Sequence, residues 1–153
     1  MNVCYNMCIG RRKLNGVVKM KLDNNNHSVF KMYYHLILVV KYRRRVLNEE
    51  IVDHLIDRFV FIGKSYNLHL EEMNHDEDHV HILFRAEPNS ELSKFINTYK
   101  SATSRTIKHL FPYVTKKLWK SQFWSRSFCL ITTGGVTTEI VRTYIENQGE
   151  KDE

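Results

Sequence analysis

The sequence contains no run approaching the roughly 20 apolar residues needed to cross a bilayer. It also has no apolar stretch of signal-peptide length behind the basic residues near its start. Both absences argue against a membrane partner and against secretion. Cysteine is scarce: Cys4, Cys8 and Cys129 are the three in 153 residues. An odd, small number predicts no disulfide framework and a reduced, cytoplasmic setting. Cys4 and Cys8 have loose metal-ligand spacing, but no second pair follows them. There is no G-x4-GK[ST] loop to cradle a nucleotide triphosphate. No repeat, linker or low-complexity segment divides the chain, and no acid precedes Asp23.

What is present fits one domain with a real core. Hydrophobic residues make up 42% and charged residues 26%, ordinary proportions for a folded chain long enough to do without disulfides. Lysine and arginine exceed the acids, 23 to 17, for a formal net charge of +6. That balance suits a polyanionic partner such as nucleic acid. Residues 1–24, which include Arg11, Arg12, Lys13, Lys19 and Lys21, read as a basic extension. Residues 25–149 read as the single domain, and residues 150–153 as a charged tail.

Residues 31–41 (KMYYHLILVVK) are apolar on both faces, the pattern of a central strand. After a basic turn, Asn48 caps a helix with Glu49 and Glu50 in its first turn. Val52, Leu55, Ile56, Phe59 and Ile62 repeat at helical spacing, and Gly63 and Asn67 bracket the stop. Residues 68–75 form a second strand, Asp76-Glu77-Asp78 a hairpin turn, and DHVHILFRAE a third strand. Asn89 or Ser90 caps a helix whose buried stripe is Leu92, Phe95, Ile96, Tyr99, Ile107 and Leu110, ended by Pro112. Residues 118–133 predict two short strands or one bent one. Gly134-Gly135 then turns into a last helix carrying Ile140, Val141, Tyr144, Ile145 and Gln148. The order β-α-β-β-α-β(β)-α is that of a ferredoxin-like or RNA-recognition-like α+β sandwich. Its helices lie on one face of an antiparallel sheet, with one extra C-terminal helix.

Within this frame His79-Val80-His81 stands out. On a strand, residues i and i+2 share a face, so the two imidazoles stand together while Val80, Ile82 and Phe84 anchor the other side. Alone, His-x-His describes two surface histidines equally well. Tyr144 and Gln148, four residues apart, share one face of the last helix. Tyrosine can act as a nucleophile, and a divalent metal would neutralise a phosphate under attack. Gln148 could add its amide oxygen to the two imidazoles as a third ligand. Tyr144 could equally be a core aromatic and Gln148 a surface polar residue.

The blocks YHLILVVKYRRRVL, DHVHILF, SRTIKHLF, LWKSQFWSRSF and TTGG-x6-RTYIENQ resemble, in order and spacing, the single-tyrosine HUH transposases of the insertion-sequence 200/605 type. The resemblance runs from about Asn25 to Gln148. It implies that His79, His81 and Gln148 bind Mg²⁺ or Mn²⁺. It also implies that Tyr144 cuts single-stranded DNA, leaving a 5′-phosphotyrosine and a free 3′-OH; were Tyr144 not the nucleophile, Tyr99 and Tyr42 would be the next candidates. It further implies subterminal DNA hairpins as the substrate and a homodimer in which the tyrosine helix of one subunit can serve the histidines of the other. Gly134-Gly135 would be the hinge of that helix. For DNA contact the leading basic candidates are Arg43, Arg44, Lys100, Arg105, Lys120 and Arg126; Arg45, Lys94, Lys108, Lys116 and Lys117 fall in the same basic clusters, and Trp119, Phe123 and Trp124 are aromatics able to stack on bases. Two alternatives stand beside this reading: an HUH nuclease that processes palindromic repeats, and a non-catalytic module that binds single-stranded nucleic acid.

Overall fold

Along residues 36–40, Leu36, Leu38 and Val40 join one apolar cluster, while Ile37 and Val39 join another on the opposite face. Burial on both faces is what a central strand requires. The computed structural model describes residues 23–24 and 29–132. In chain order it comprises β1 (Asp23–Asn24), β2 (Val29–Phe30), β3 (Met32–Val39), α1 (Glu49–Gly63), β4 (Leu68–His75), β5 (His79–Ala86), α2 (Leu92–Leu110), α3 (Pro112–Lys117) and β6 (Cys129–Thr132). The small β1–β2 pair stands apart from a four-stranded sheet in the order β4-β5-β3-β6, antiparallel throughout. With the connections β3-α1-β4 and β5-α2-β6, this is the ferredoxin-like topology. Residues 1–22 of the basic extension, the expected Gly134-Gly135 hinge, the expected final helix and the tail lie outside the described residues, whereas Asp23 and Asn24, the last two residues of that extension, form β1. No helix among the described residues is long and apolar enough to cross a membrane.

Each element follows from local chemistry. The side-chain oxygen of Asn48 accepts from Ile51 N at 2.9 Å, capping α1 as expected. Asn67 adopts φ 54°, ψ 46° beyond that helix, a left-handed conformation that asparagine tolerates. In β4 the apolar residues change parity, from Leu68 and Leu70 to Met73. A register irregularity between Leu70 and Glu72 absorbs the change, so Leu70 pairs with Phe84 and Met73 with Ile82. The bulge keeps all three on the helix-covered face despite the odd spacing. That face is filled by Phe59, Phe84, Phe95 and Tyr99, whose rings meet at 4.9–6.4 Å between centroids. Aromatic pairs of this kind contribute about 0.5–1.5 kcal/mol each beyond area burial.

The structure departs from the sequence expectations, or adds to them, at several places. The cap residue of α2 is Glu91, which makes no side-chain capping bond. The Ser90 hydroxyl instead accepts from Glu87 N and donates to Asn67 O, closing the turn after β5. Leu110 is 54% exposed, because the helix ends there. Pro112 ends α2 but also begins α3, where its missing N–H costs nothing. Thr103 takes an interior place on α2 that apolar counting passed over. Of the region 118–133, only residues 129–132 form a regular strand. A 3-10 turn spans Trp119–Ser121, and Trp124 makes an isolated bridge to Val40.

Candidate functional site

Register places the histidines. His79 lies opposite Val39 and His81 opposite Ile37 on the central strand, on the face away from α1 and α2. The two rings are 4.9 Å apart between centroids, at 73° to one another. His79 is only 8% exposed, so it is not a surface histidine. His75 pairs with Val80, which puts it on the other face, away from the pair.

The hairpin turn orients the first imidazole. His79 donates its Nδ1–H to Asp78 Oδ1 at 2.6 Å, and Arg43 Nε donates to Asp78 Oδ2 at 2.8 Å. A carboxylate only accepts, so the ring must carry its proton on Nδ1. That leaves the Nε2 lone pair free whenever the ring is neutral. Burial alone would push the Asp78 carboxyl up, but the bonds from His79 and Arg43 outweigh burial and hold it below its ordinary value. The turn itself is pinned: Val40 N donates to Asp78 O, and Val46 N and Leu47 N both donate to Glu77 O.

A third imidazole, absent from the sequence expectations, completes the row. His35 on β3 lies 5.4 Å from His81 between ring centroids. Nothing in local spacing links positions 35 and 81; only strand pairing does. Burial and the neighbouring His79 and His35 lower the His81 pKa to about 4. Burial likewise lowers His35, against a smaller opposing effect of Glu72. For His81 and His35 the shift favours the neutral form that ligates metal. Among the described residues, no group of three or more His, Cys, Asp or Glu side chains is disposed to hold an ion. His79 and His81 fit as half of such a site. The expected third ligand, Gln148, and the expected nucleophile, Tyr144, lie outside the described residues.

The structure does narrow the choice of tyrosine. Tyr99 is fully buried on the helix side of the sheet, donates its hydroxyl to Leu55 O at 2.9 Å, and has its pKa pushed up by burial. It cannot serve as a nucleophile toward a strand on the opposite face.

The basic candidates divide by their partners. Arg43 is committed to Asp78. Lys100 donates to the carbonyls of Arg126 and Ser127 at 2.7 and 3.3 Å, and burial lowers its pKa to about 8. It therefore ties α2 to the segment before β6. Arg44, Arg105, Lys120 and Arg126 are exposed. Phe123 and Trp124 are buried, and Trp124 Nε1 donates to Thr103 Oγ1 at 2.9 Å. Both belong to the core rather than to a base-stacking surface. The Trp119 side chain lies outside the described set.

The sequence profile of the family described as IS200-like transposases matches residues 28–148. The ISDra2 transposase TnpA of Deinococcus radiodurans is 32% identical over 136 residues, covering 89% of this chain and 97% of that protein. The transposase for insertion sequence element IS200 of Salmonella typhimurium is 26% identical over 126 residues, covering 82% of each. A crystal structure of a transposase candidate from Deinococcus radiodurans superposes with a TM-score of 0.74 at 32% identity, covering 82% of this chain and 97% of that one. A REP-associated tyrosine transposase solved with a REP hairpin has a TM-score of 0.52 at 12% identity, covering 81% and 68%, and shares the fold.

Proposed function

The chain belongs to the IS200-like transposase family, and we propose that it cuts and rejoins single-stranded DNA at the ends of an insertion sequence through a phosphotyrosine on Tyr144. The observation that carries this reading is the His79–His81 pair, set on a rigid strand with His79 oriented through Asp78. In this reading His79 and His81, with Gln148, hold Mg²⁺ or Mn²⁺. The metal supplies positive charge at the scissile phosphate. Because all three ligands are neutral, none of that charge is cancelled.

The rest of the work falls to side chains. Asp78 keeps the His79 proton on Nδ1 and so leaves Nε2 for the metal. The Tyr144 oxygen, giving up its phenol proton, attacks phosphorus and displaces the 3′ oxygen, which takes up a proton and leaves as the free 3′-OH. The phosphodiester energy is retained in the tyrosine ester, so rejoining needs no nucleotide triphosphate. One nucleophile per chain holds one DNA end, so joining two ends calls for a homodimer.

The test is incubation of the protein with a hairpin oligonucleotide carrying a single-stranded extension from the element's end, with and without Mn²⁺. A denaturation-resistant adduct is expected only with metal, and Tyr144→Phe should abolish it while leaving hairpin binding intact. Adducts formed by that variant would reassign the nucleophile, with Tyr42 next in line.

A further inference from the structure

We infer that a basic cleft beside the histidine hairpin is a phosphodiester-backbone site, which grips the DNA strand independently of the residues that cut it. The cleft, about 410 Å³, is lined among the described residues by Arg44, Arg45, Lys116, Lys117 and Leu118. Two walls form it. One is the loop that follows β3; the other is the last turn of α3 and the residue that ends it. Asn48 Nδ2 donates to the Tyr113 hydroxyl at 2.9 Å, fastening one wall to the other. Behind them Val46, Leu47, Phe111 and Val114 pack into the core, so the separation of the walls is set by folding.

Its charge calls for an anion. All four cations are exposed. Among the described residues, no carboxylate pairs with Arg44, Lys116 or Lys117. Arg45 has only a loose partner, Glu77 Oε2 at 3.5 Å, with both side chains largely in water. The end of α3 favours the two lysines, since cations complement a helix C-terminus, but it does not account for two arginines brought against them from another segment. Four like charges around one concavity repel, and a cleft lined by one sign concentrates counter-ions. Arginine and lysine are donors only, which matches phosphate oxygens.

The position of the cleft gives it a role. Arg43, the residue before Arg44, turns inward to Asp78 and so to His79, while Glu77 O holds Val46 and Leu47. A strand held by Arg44 and Arg45 is thus in fixed relation to the imidazole pair. This inference rests on the proposed function for the identity of the anion, and it adds where the strand is gripped.

The test compares the full-length protein with the triple variant Arg44→Gln, Lys116→Gln, Lys117→Gln, and with a charge-conserving control, Arg44→Lys, Lys116→Arg, Lys117→Arg. Binding to a fluorescent hairpin oligonucleotide with a single-stranded extension is measured across a salt series. The glutamine variant should bind at least about tenfold more weakly, and its slope of log K against log salt should be shallower by about 2, since each phosphate contact contributes roughly 0.7–0.9. The control should restore both. Changing the sequence of the extension should leave the loss unchanged, as for a backbone contact. An unchanged slope, or a loss that depends on base sequence, would overturn the site. Adduct formation, assayed separately, keeps the two readings apart. Wild-type adducts with an unchanged slope sink only the cleft, and a reduced slope with no wild-type adducts sinks only the proposed chemistry.

Discussion

Asp78 Oδ1 stands 2.6 Å from His79 Nδ1, and the same carboxylate is held from its other oxygen by Arg43. The bond makes Asp78 a positioning residue: it fixes the tautomer and tilt of the ring, leaving Nε2 as the free nitrogen. Asp78→Ala should therefore weaken Mn²⁺ binding by about 10–100-fold, the usual cost of losing an outer partner of a ligating histidine. Asp78→Asn, which keeps an acceptor without the charge, should fall between. Titration calorimetry on the DNA-free protein reads this directly. Equal affinity in all three proteins would show that the bond does not orient a ligand.

The lowered pKa of His81, about 4, has a definite sign for stability. An unfolded chain protonates this ring near 6.5, whereas the folded protein keeps it neutral. Between those values the unfolded state binds more protons, so metal-free stability should fall as pH drops from 6.5 toward 4, by up to about 3 kcal/mol. Urea denaturation across that window, compared with His81→Asn, should show a shallower pH dependence in the variant. An imidazole NMR titration should find His81 still neutral at pH 5.5.

Trp124 donates to Thr103 in the interior, and Thr103 in turn donates to Tyr99 O at 2.7 Å. Replacing Trp124 by Phe removes one bond in that chain and leaves a smaller ring. The expected cost is about 1–3 kcal/mol of stability, with DNA affinity unchanged when measured well below the melting temperature. A selective loss of affinity would place the indole against bases after all.

Lys100 and Arg105 lie on the same helix with different commitments. Lys100→Met should lower the melting temperature, because two carbonyls before β6 lose their donor. It should leave the salt dependence of DNA binding unaltered. A reduced salt slope in that variant would show that Lys100 releases the carbonyls to reach phosphate.

The architecture was legible because its signals are local. The two-faced apolar run of β3, the Asn48 cap and the alternation of Val80, Ile82 and Phe84 each lie within a few residues, and the histidine pair inherits its geometry from that alternation. What escaped reading depends on long-range register. His35 joins His81 only because β3 pairs with β5 as it does, and no spacing between positions 35 and 81 announces it. Asp78 read as a turn residue because its second partner, Arg43, is 35 positions away. Lys100 read as a free cation because its carbonyl acceptors come from a segment without a regular pattern. Thr103 escapes apolar counting because it is polar; its hydroxyl is satisfied within its own helix by Tyr99 O, and its other partner, Trp124, is 21 positions away.

Tyr42 and Arg43 both take left-handed backbone conformations, at φ 55° and 49°, a rare pairing for residues with side chains. Beyond it the chain runs through Arg44 and Arg45, which point toward the cleft rather than the imidazoles. In hereditary terms this peptide junction separates two kinds of change. Substitutions at 44 and 45 can alter how tightly a descendant holds its DNA without disturbing the Asp78–His79 bond. A glycine at 43 would relax the backbone yet remove the guanidinium that anchors Asp78, so at this position backbone ease and the support of His79 pull in opposite directions.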